Sequence, residues 1–476
     1  MPTLPETTMM NRSFPSRGRL VVTSVLVLAA GLAACHGSVT DALLYTVIPT
    51  VINPGSVQSA AGADAVRLGA LGRLRTATGG AESTWLFGGL LADEWTTSST
   101  FIQNDEADER AITLTNSSVT SQFAALARVR TDANQGIALM KQYQPTAIAN
   151  TGELYFARGF AELQLALDFC NGIPLSDGSG TTVVLGQPLT NQAVFTIASA
   201  SFDSALALET GTDAFSVSIL NAAKIGKART QQALNNYAAA AALVAGIPTT
   251  YEYDNTFEQT VGGPTGDNIL WSQPLSQRRY NLGDTVVTDN GTVYKVKPSL
   301  PFASAKDPRI PGVLKGPSLS QDGAVLSTTT SLWSNGTSVP VVSGIDARLI
   351  EAENFLATGD ITNWLLTLNA LRAAGTLKLG TITVPVMAPL VDPGTASARV
   401  DLQFYEKAFW TFSRGERLGD MRRLIRQYGR DPATVFPGTG GAHYRGVPYG
   451  PDVNLPVPYN ESVGNTNFTN CLDRKA

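Results

Sequence analysis

The chain contains very little histidine, and this scarcity excludes several kinds of chemistry. Only His36 and His443 occur in 476 residues. A His-rich zinc site is therefore excluded, and a catalytic triad could draw on His443 alone, because His36 lies beside a predicted membrane anchor. A G-x-S-x-G nucleophile elbow is also missing, which disfavours a hydrolase. We predict no catalytic residues, no metal site and no cofactor.

The chain also lacks any run of basic residues. It carries 35 Lys and Arg against 39 Asp and Glu, a net charge of −4. Nucleic-acid binding needs a concentrated positive patch, so nucleic acid is not an expected partner. Asp105, Glu106, Asp108 and Glu109 lie close together, but their spacing does not match a calcium loop, and we expect a solvated face.

No apolar stretch is long enough to cross a bilayer comfortably, but the one near the amino terminus has the pattern of an export signal. Three arginines precede the apolar stretch 20–32, which leads into LAAC ending at Cys35. A charged segment, a short apolar segment and small residues before a cut make a signal peptide. A cysteine at that point is typical of bacterial lipoproteins, in which the thiol carries diacylglycerol. We predict a lipoprotein signal peptide over 1–34, lipidation of Cys35 and one membrane-tethered domain over 35–476. A plain secretory signal with a chance cysteine is the alternative.

Beyond Cys35 the only thiols are Cys170 and Cys471. Two cysteines can pair in an oxidising export compartment, but their positions in a sequence do not show that they are close. A disulfide and two buried free thiols both remain open.

Helical periodicity dominates the rest of the chain. Apolar positions recur at helical spacing in five segments, the last long enough for two helices: 56–76, 116–143, 151–169, 191–209 and 217–246. In 346–373, a Gly-Asp turn separates two apolar faces with small residues at close-packing positions, which resembles a tetratricopeptide hairpin. The segments 249–345 and 375–400 are rich in Gly, Pro, Thr and Val and predict loops and small hairpins. The predicted fold is mainly α, with tetratricopeptide-like helix hairpins that carry long loop and small β-hairpin insertions.

The C-terminal third contains an ordered set of motifs. Residues 402–424 read LQFYEKAFWTFSRGERLGDMRRL, and LPVP at 455–458 follows with Glu461. This set resembles the SusD/RagB family of surface nutrient-binding lipoproteins, in which a Glu-rich helix leads into Gly-x-Arg-x-x-Asp-Leu-x-Arg and then Pro-Ile-Pro-x-x-Glu. The matching positions are Gly415, Arg417, Asp420 and Arg423, with Met421 in place of Leu. Arg417 and Asp420 can pair at i, i+3, so we expect these residues to maintain the fold.

The resemblance implies a function as well as a fold. Members of this family are lipid-anchored at the outer membrane and exposed on the cell surface. They bind ligands without catalysis and pass them to a partner, a TonB-dependent SusC-like barrel transporter, and for this chain we expect the ligand to be an oligosaccharide. Two alternatives stay open: a member that captures peptide, and a non-catalytic helical-repeat scaffold lipoprotein.

A surface that binds sugar needs aromatic rings on which C–H patches can stack, beside polar side chains. The family often places an Asp-Glu pair in an early loop near its ligand, and the irregular middle region supplies further aromatics. We predict five ligand-binding residues: Asp93, Trp95, Trp271, Tyr280 and Trp333. For Trp95 the alternative is that the ring closes the core. The other tryptophans considered are assigned to packing: Trp85, Trp364 and Trp410.

Overall fold

A computed structural model describes residues 57–258, 266–289, 291–314, 320–438 and 441–476. Cys35 and the predicted signal peptide lie outside these ranges, so lipidation and the domain boundary stay predictions. Residues from Val57 onward form one compact unit. Within the described ranges, no helix is both long and apolar enough to cross a membrane.

Helices make up most of the regular structure of the described chain. In order they are α1 (Ala60–Gly79), α2 (Phe87–Leu91), α3 (Ile102–Asp108), α4 (Ser117–Tyr143), α5 (Ile148–Asp168), α6 (Asn191–Leu208), α7 (Ala214–Ala233), α8 (Tyr237–Val244), α9 (Ile269–Trp271), α10 (Gly344–Ala357), α11 (Ile361–Ala373), α12 (Ala396–Trp410), α13 (Arg417–Arg426) and α14 (Tyr459–Gly464). A π-helical turn, Ser272–Ser276, follows α9.

The long helices pack against their sequence neighbours as hairpins. Short connections join α4 to α5, α6 to α7 and α10 to α11, and the two members of each pair are in contact. Short connections make neighbouring helices antiparallel. The predicted fold class is therefore confirmed, and the segment 346–373 is the α10–α11 hairpin.

Side-chain caps set where these helices begin. Asn116 accepts hydrogen bonds from the amides of the first turn of α4. Ser343 and Asp346 form a capping box at the start of α10. Asp360, from the predicted Gly-Asp turn, accepts from the Asn363 amide at 3.1 Å and starts α11. Each cap satisfies amides that have no partner within the helix.

Glycines allow three helices to approach one another around Phe202 of α6. A Cβ atom at Gly226 of α7 would lie 2.4 Å from the Phe202 ring, and one at Gly159 of α5 would lie 3.0 Å from it. Any larger side chain would push these helices apart, because a packed interior has no free volume to absorb it.

The strands are short, and those described form two-stranded antiparallel ladders. The pairs are β1 (Trp95–Thr97) with β5 (Tyr280–Leu282), β2 (Ile173–Pro174) with β3 (Pro188–Leu189), β4 (Glu252–Asn255) with β10 (Val339–Ser343), β6 (Val286–Asp289) with β7 (Thr292–Lys295), β8 (Gly312–Leu314) with β9 (Thr328–Thr330), and β11 (Lys378–Leu379) with β12 (Ile382–Thr383). Several of these ladders are the predicted small hairpins on a helical frame.

The C-terminal motif is buried and reaches distant parts of the chain. Arg417 donates to both carboxylate oxygens of Asp93, at 3.0 and 3.1 Å. The expected local pair of Arg417 with Asp420 is therefore wrong, because the two-pronged guanidinium finds a better partner in Asp93. Asp420 instead accepts from Lys407 at 2.9 Å and from Arg423 at 3.1 Å.

Two further buried arginines extend this network. Arg414 donates to both oxygens of Asp346, at 2.9 and 2.7 Å, and so ties the turn before α13 to the start of α10. Arg423 pairs with Glu353 of α10. Removing one partner of a buried ion pair leaves an uncompensated charge and costs roughly 3–5 kcal/mol. These contacts give the motif residues a structural role.

Cys170, just after α5, and Cys471, in the C-terminal tail, form a disulfide with their Cα atoms 6.0 Å apart. The adjoining backbone also pairs, since the Leu472 amide donates to the Asn171 carbonyl at 2.8 Å. Of the two alternatives left open by the sequence, the structure has the bridge.

Candidate functional site

The loop after α2 and the loop-rich segment 249–345 meet in the β1–β5 ladder. Trp95 lies opposite Leu282, Thr96 opposite Asn281 and Thr97 opposite Tyr280. Because successive side chains of a strand point to opposite faces, Trp95 and Tyr280 share one face and Thr96 and Asn281 share the other. The face that carries Trp95 and Tyr280 packs against the core.

Two of the predicted ligand-binding aromatics are therefore core residues. Trp95 is 0% exposed and donates through Nε1 to the Ser413 hydroxyl at 2.9 Å. Tyr280 is equally buried and donates to Glu82 at 2.6 Å. A ring with no exposed surface cannot stack on a ligand, so the assignment of Trp95 and Tyr280 to a surface site is corrected to core packing.

Two other predicted ligand-binding residues are also buried in the interior. Trp333 is only 6% exposed and stacks on Phe412, with the ring centres 6.2 Å apart. Asp93 is buried and holds Arg417, and it also accepts from the Leu300 amide at 3.0 Å. The side chains of Trp333 and Asp93 are occupied by contacts inside the fold. Their assignment to the ligand-binding site is therefore corrected to a structural role.

Trp271 differs from these four. It ends α9, packs against the core and keeps part of its surface exposed. Its role as a ligand contact stays a prediction. The tryptophans assigned to packing, Trp85, Trp364 and Trp410, are all buried as predicted.

Phe101, close to β1, has an exposed aromatic ring and was not among the residues predicted to bind ligand. Phe101 is 47% exposed and the next residue, Ile102, is 64% exposed. The Arg279 guanidinium lies over the Phe101 ring, 4.2 Å from its centre. One face of the ring is thus supported by a cation, while nearly half of the side chain stays open to solvent.

Arg279 is held rigidly beneath this ring. It pairs with Glu82 and donates to Gln273 Oε1 at 2.9 Å. Glu82 also accepts from the buried Tyr280, so Tyr280 helps to hold the carboxylate that positions Arg279. A ring fixed in this way loses little conformational freedom when a ligand stacks on it.

Several loops converge behind Phe101. The Ser98 amide donates to the Arg279 carbonyl at 3.1 Å, and the Asp322 amide donates to the Ser98 carbonyl at 3.2 Å. Arg445 joins the group: it donates to the Ser99 carbonyl at 2.9 Å and to Asp322 at 2.7 Å. Segments far apart in sequence therefore form one rigid support.

Polar groups on this surface are left free to bind a ligand. Arg278 is half-buried and makes no side-chain hydrogen bond or ion pair with the described part of the chain. Its backbone has a positive φ of 59°, a strained conformation for a non-glycine residue that often marks functional sites. Gln321 is exposed and accepts from the Thr100 amide at 3.3 Å, and its side-chain nitrogen has no hydrogen-bond partner among the described residues. We call Thr100, Phe101, Ile102, Arg278 and Gln321 the Phe101 surface.

The neighbouring acidic residues anchor α3 rather than face solvent. Asp108 accepts from the Thr97 amide at 2.7 Å and contacts buried His443 at 3.1 Å. Asp105 lies 3.1 Å from Arg445. Burial raises the pKa of Asp105, and the charge of Arg445 opposes that shift. The expectation of a solvated acidic face is therefore wrong for these two carboxylates.

The Phe101 surface combines a stacking ring, an unpaired guanidinium and a free amide. Such a set can bind a sugar by stacking on its C–H face and by donating hydrogen bonds to its hydroxyl oxygens. Three nearby carboxylates are bound by arginines: Asp105 and Asp322 by Arg445, and Glu82 by Arg279. The arrangement therefore offers a ligand a stacking ring and hydrogen-bond donors.

No family model and no curated protein matches this chain. Solved structures match it over most of its length. A SusD superfamily protein from Bacteroides vulgatus has a TM-score of 0.57 at 14% identity, covering 87% of this chain and 98% of that one. A SusD-like protein from Bacteroides fragilis has a TM-score of 0.61 at 11% identity, with 88% and 98% covered. A SusD-like carbohydrate binding protein from the same species has a TM-score of 0.59 at 12% identity, with 87% and 99% covered.

These matches confirm the fold that the motif resemblance implied. The chain has the SusD-like fold over most of its length. Identities this low do not transfer the residues of a site, so the Phe101 surface depends on its own geometry.

Proposed function

We propose that this protein is a non-catalytic, lipid-anchored binding protein of the SusD type that captures an oligosaccharide at the Phe101 surface. It passes the ligand to a partner, a TonB-dependent SusC-like barrel transporter in the outer membrane. The observation that carries the proposal is the exposed Phe101 ring supported by Arg279.

This geometry suits sugar for a physical reason. A sugar ring has an apolar C–H face and a polar rim, so it needs an aromatic platform flanked by hydrogen-bond donors. Phe101 supplies the platform, and Arg278 and Gln321 supply donors in the adjoining segments, since Gln321 is hydrogen-bonded to both the Thr100 amide and the Arg278 carbonyl. The fold supports the same reading, because one of its structural neighbours is described as a carbohydrate binding protein.

The lipid anchor and the transporter partner are inferred from the sequence and the fold. Cys35 stands where lipoprotein processing requires a cysteine, and the fold is that of the SusD-like proteins. Two acyl chains on one cysteine are enough for stable membrane anchoring. A tethered capture protein with an outward binding face would then deliver ligand to a neighbouring pore.

The test is oligosaccharide binding to the purified mature protein and to two matched variants. Phe101→Ala removes the platform and should weaken binding by about 1–3 kcal/mol, as loss of a binding hot spot does. Phe215→Ala is the control, because Phe215 on α7 is 41% exposed and lies outside the Phe101 surface. It should leave the affinity unchanged.

Three outcomes would contradict the proposal. Equal weakening by both substitutions would mean that Phe101 is not a specific platform. Binding of peptides but not of any glycan in a broad panel would favour the peptide-capturing alternative. Cleavage of the bound glycan would show an enzyme instead. Co-purification with a TonB-dependent barrel tests the partner separately.

A further inference from the structure

A cavity of about 150 Å³ lies on the outward face of the β1–β5 ladder, opposite to the face that carries Trp95 and Tyr280. Thr96 and Asn281, which pair across the ladder, both line it, and β6 and the segment that leads into β9 complete its walls. It shares no lining residue with the Phe101 surface. The volume is smaller than that of a complete small-molecule site, so the cavity suits one unit of a ligand.

The cavity is close to the Phe101 surface along the backbone. Thr100 follows Thr96 by four positions, and Arg278 precedes Asn281 by three. At about 3.4 Å per extended residue, the cavity and the Phe101 surface are at most roughly 10–14 Å apart. This distance allows one oligosaccharide to reach both.

The walls of the cavity are held by contacts within the fold. The Asn281 side chain donates to the Leu326 carbonyl at 3.4 Å. The backbones of Asp289 and Val325 pair in an isolated antiparallel bridge. These contacts join the segment before β9 to both β5 and β6. A site that needs no rearrangement loses little free energy in ordering when it binds.

The lining offers hydroxyl groups that have no protein partner. Thr96 is only 8% exposed, and its hydroxyl makes no hydrogen bond within the described part of the chain. Thr288 and Thr328 also line the cavity, and their hydroxyls likewise find no partner among the residues that the structure describes. A hydroxyl can donate and accept, so an unpaired one in a nearly buried position favours a polar ligand group.

The charge of the lining is negative. Asp284 is the one charged side chain among the described lining residues, and no described lysine or arginine pairs with it. Its Oδ1 accepts from the Ser304 hydroxyl and from the Thr285 amide, both at 2.7 Å, whereas Oδ2 accepts from no described residue. An unpaired carboxylate accepts hydrogen bonds from ligand hydroxyls and repels an anion.

The cavity also provides apolar contact. Val286 and Leu326 line it and are 42% and 44% exposed. Apolar side chains beside a few polar groups are the usual composition of a small-molecule site. A sugar ring, which has C–H faces and a rim of hydroxyls, matches both kinds of surface.

We propose that this cavity is a second ligand subsite that takes one neutral sugar unit. The hydroxyl groups of the sugar bond to Thr96 and to Oδ2 of Asp284, and its C–H face packs on Val286 and Leu326. That the ligand is a carbohydrate rests on the proposed function. The preference for a neutral unit rests on the charge of this cavity alone.

The experiment titrates the purified mature protein with glucose, galactose and mannose, each beside its uronate, and follows binding by ligand-observed NMR. It uses the wild type and Phe101→Ala, so that stacking at the Phe101 surface is separated from binding in the cavity. At least one neutral hexose should bind to both proteins. Its uronate should bind at least about tenfold more weakly, because Asp284 repels it.

Thr96→Val tests the hydroxyl. Valine keeps the branched shape and suits a strand, so the β1–β5 ladder should form as before. The neutral hexose should bind about fivefold more weakly, which corresponds to the loss of one hydrogen bond. Thr383→Val, which changes an exposed threonine on β12 outside the cavity, is the matched control and should have no effect.

Asp284→Asn is the second variant and covers the case in which Thr96→Val disturbs the ladder. It keeps an oxygen for Ser304 and Thr285 and removes the charge. The neutral hexose should bind about fivefold to tenfold more weakly, because a hydrogen bond to a charged group is lost. The preference for the hexose over its uronate should fall towards one.

The proposal is overturned if none of the three hexoses binds to Phe101→Ala, or if the uronate binds as tightly as its hexose. It is also overturned if a folded Thr96→Val keeps the full hexose affinity, or if Asp284→Asn keeps the full preference over the uronate. If Phe101→Ala leaves oligosaccharide binding unchanged while Thr96→Val weakens hexose binding, the Phe101 surface fails and the cavity stands.

Discussion

The sharpest consequence of the structure concerns Trp95, because its sequence context favoured a ligand contact and its burial assigns it to the core. Trp95→Ala removes a ring that is 0% exposed and packs against Phe412, with ring centres 5.1 Å apart. Truncating a buried Trp to Ala costs about 3–5 kcal/mol. The Nε1 hydrogen bond to Ser413 adds about 1 kcal/mol.

The assay is urea unfolding of Trp95→Ala, Trp95→Phe and Phe101→Ala beside the wild type. Trp95→Phe keeps most of the ring and loses the hydrogen bond, so it should cost about 1–2 kcal/mol. Phe101 is exposed, and its truncation should change stability by no more than about 0.5 kcal/mol while weakening ligand binding. For a unit of this size, the loss in Trp95→Ala should lower the melting temperature by only a few degrees. Normal stability of Trp95→Ala with loss of binding would refute the assignment of this residue to the core.

Three further predictions concern the bridge, a buried acid and the anchor. Cys471→Ser opens a bridge between residues 301 positions apart and should cost up to about 6 kcal/mol on the chain-entropy view. Cys170→Ser should cost the same in urea unfolding, and two alkylatable thiols in the folded, unreduced wild type would contradict the bridge. Burial raises the pKa of Glu94 from its usual 4.5 to about 8, against the hydrogen bond from the Ser413 amide. The folded state therefore keeps a proton that the unfolded chain releases, and stability falls as pH rises from about 4.5 through 8. Glu94→Gln should flatten this fall and gain most over wild type above pH 8; an unchanged pH profile would argue against a buried protonated Glu94. Cys35→Ser should give an unprocessed or released protein in cell fractionation, and full retention in the outer membrane in high salt would rule out the lipid anchor.

Helical periodicity was sufficient to predict most of the frame because helix signals are local. The predicted segments 116–143 and 191–209 agree with α4 and α6 to within a residue at each end. The Gly-Asp turn of 346–373 was readable because Asp360 caps the next helix in its own neighbourhood. The Cys170–Cys471 bridge was not decidable, since pairing across 301 positions depends on tertiary structure.

The site was harder to predict because it depends on one short ladder. β1 has only three residues, too few for alternation to be recognised, and its partner β5 is about 180 positions away. Without that pairing, nothing shows that Trp95 points inward. The Arg417–Asp93 pair was hidden for the same reason. One signal could have led to Phe101: an aromatic and an isoleucine, adjacent to each other, directly follow five Ser and Thr residues.

The most direct test of the central claim is a structure of the protein with a bound oligosaccharide. The account predicts a sugar ring stacked on Phe101, with its hydroxyl groups within hydrogen-bond distance of Arg278 and Gln321. Oligosaccharide bound at a place that leaves Phe101 free, or a peptide as the only ligand that can be bound there, would contradict it.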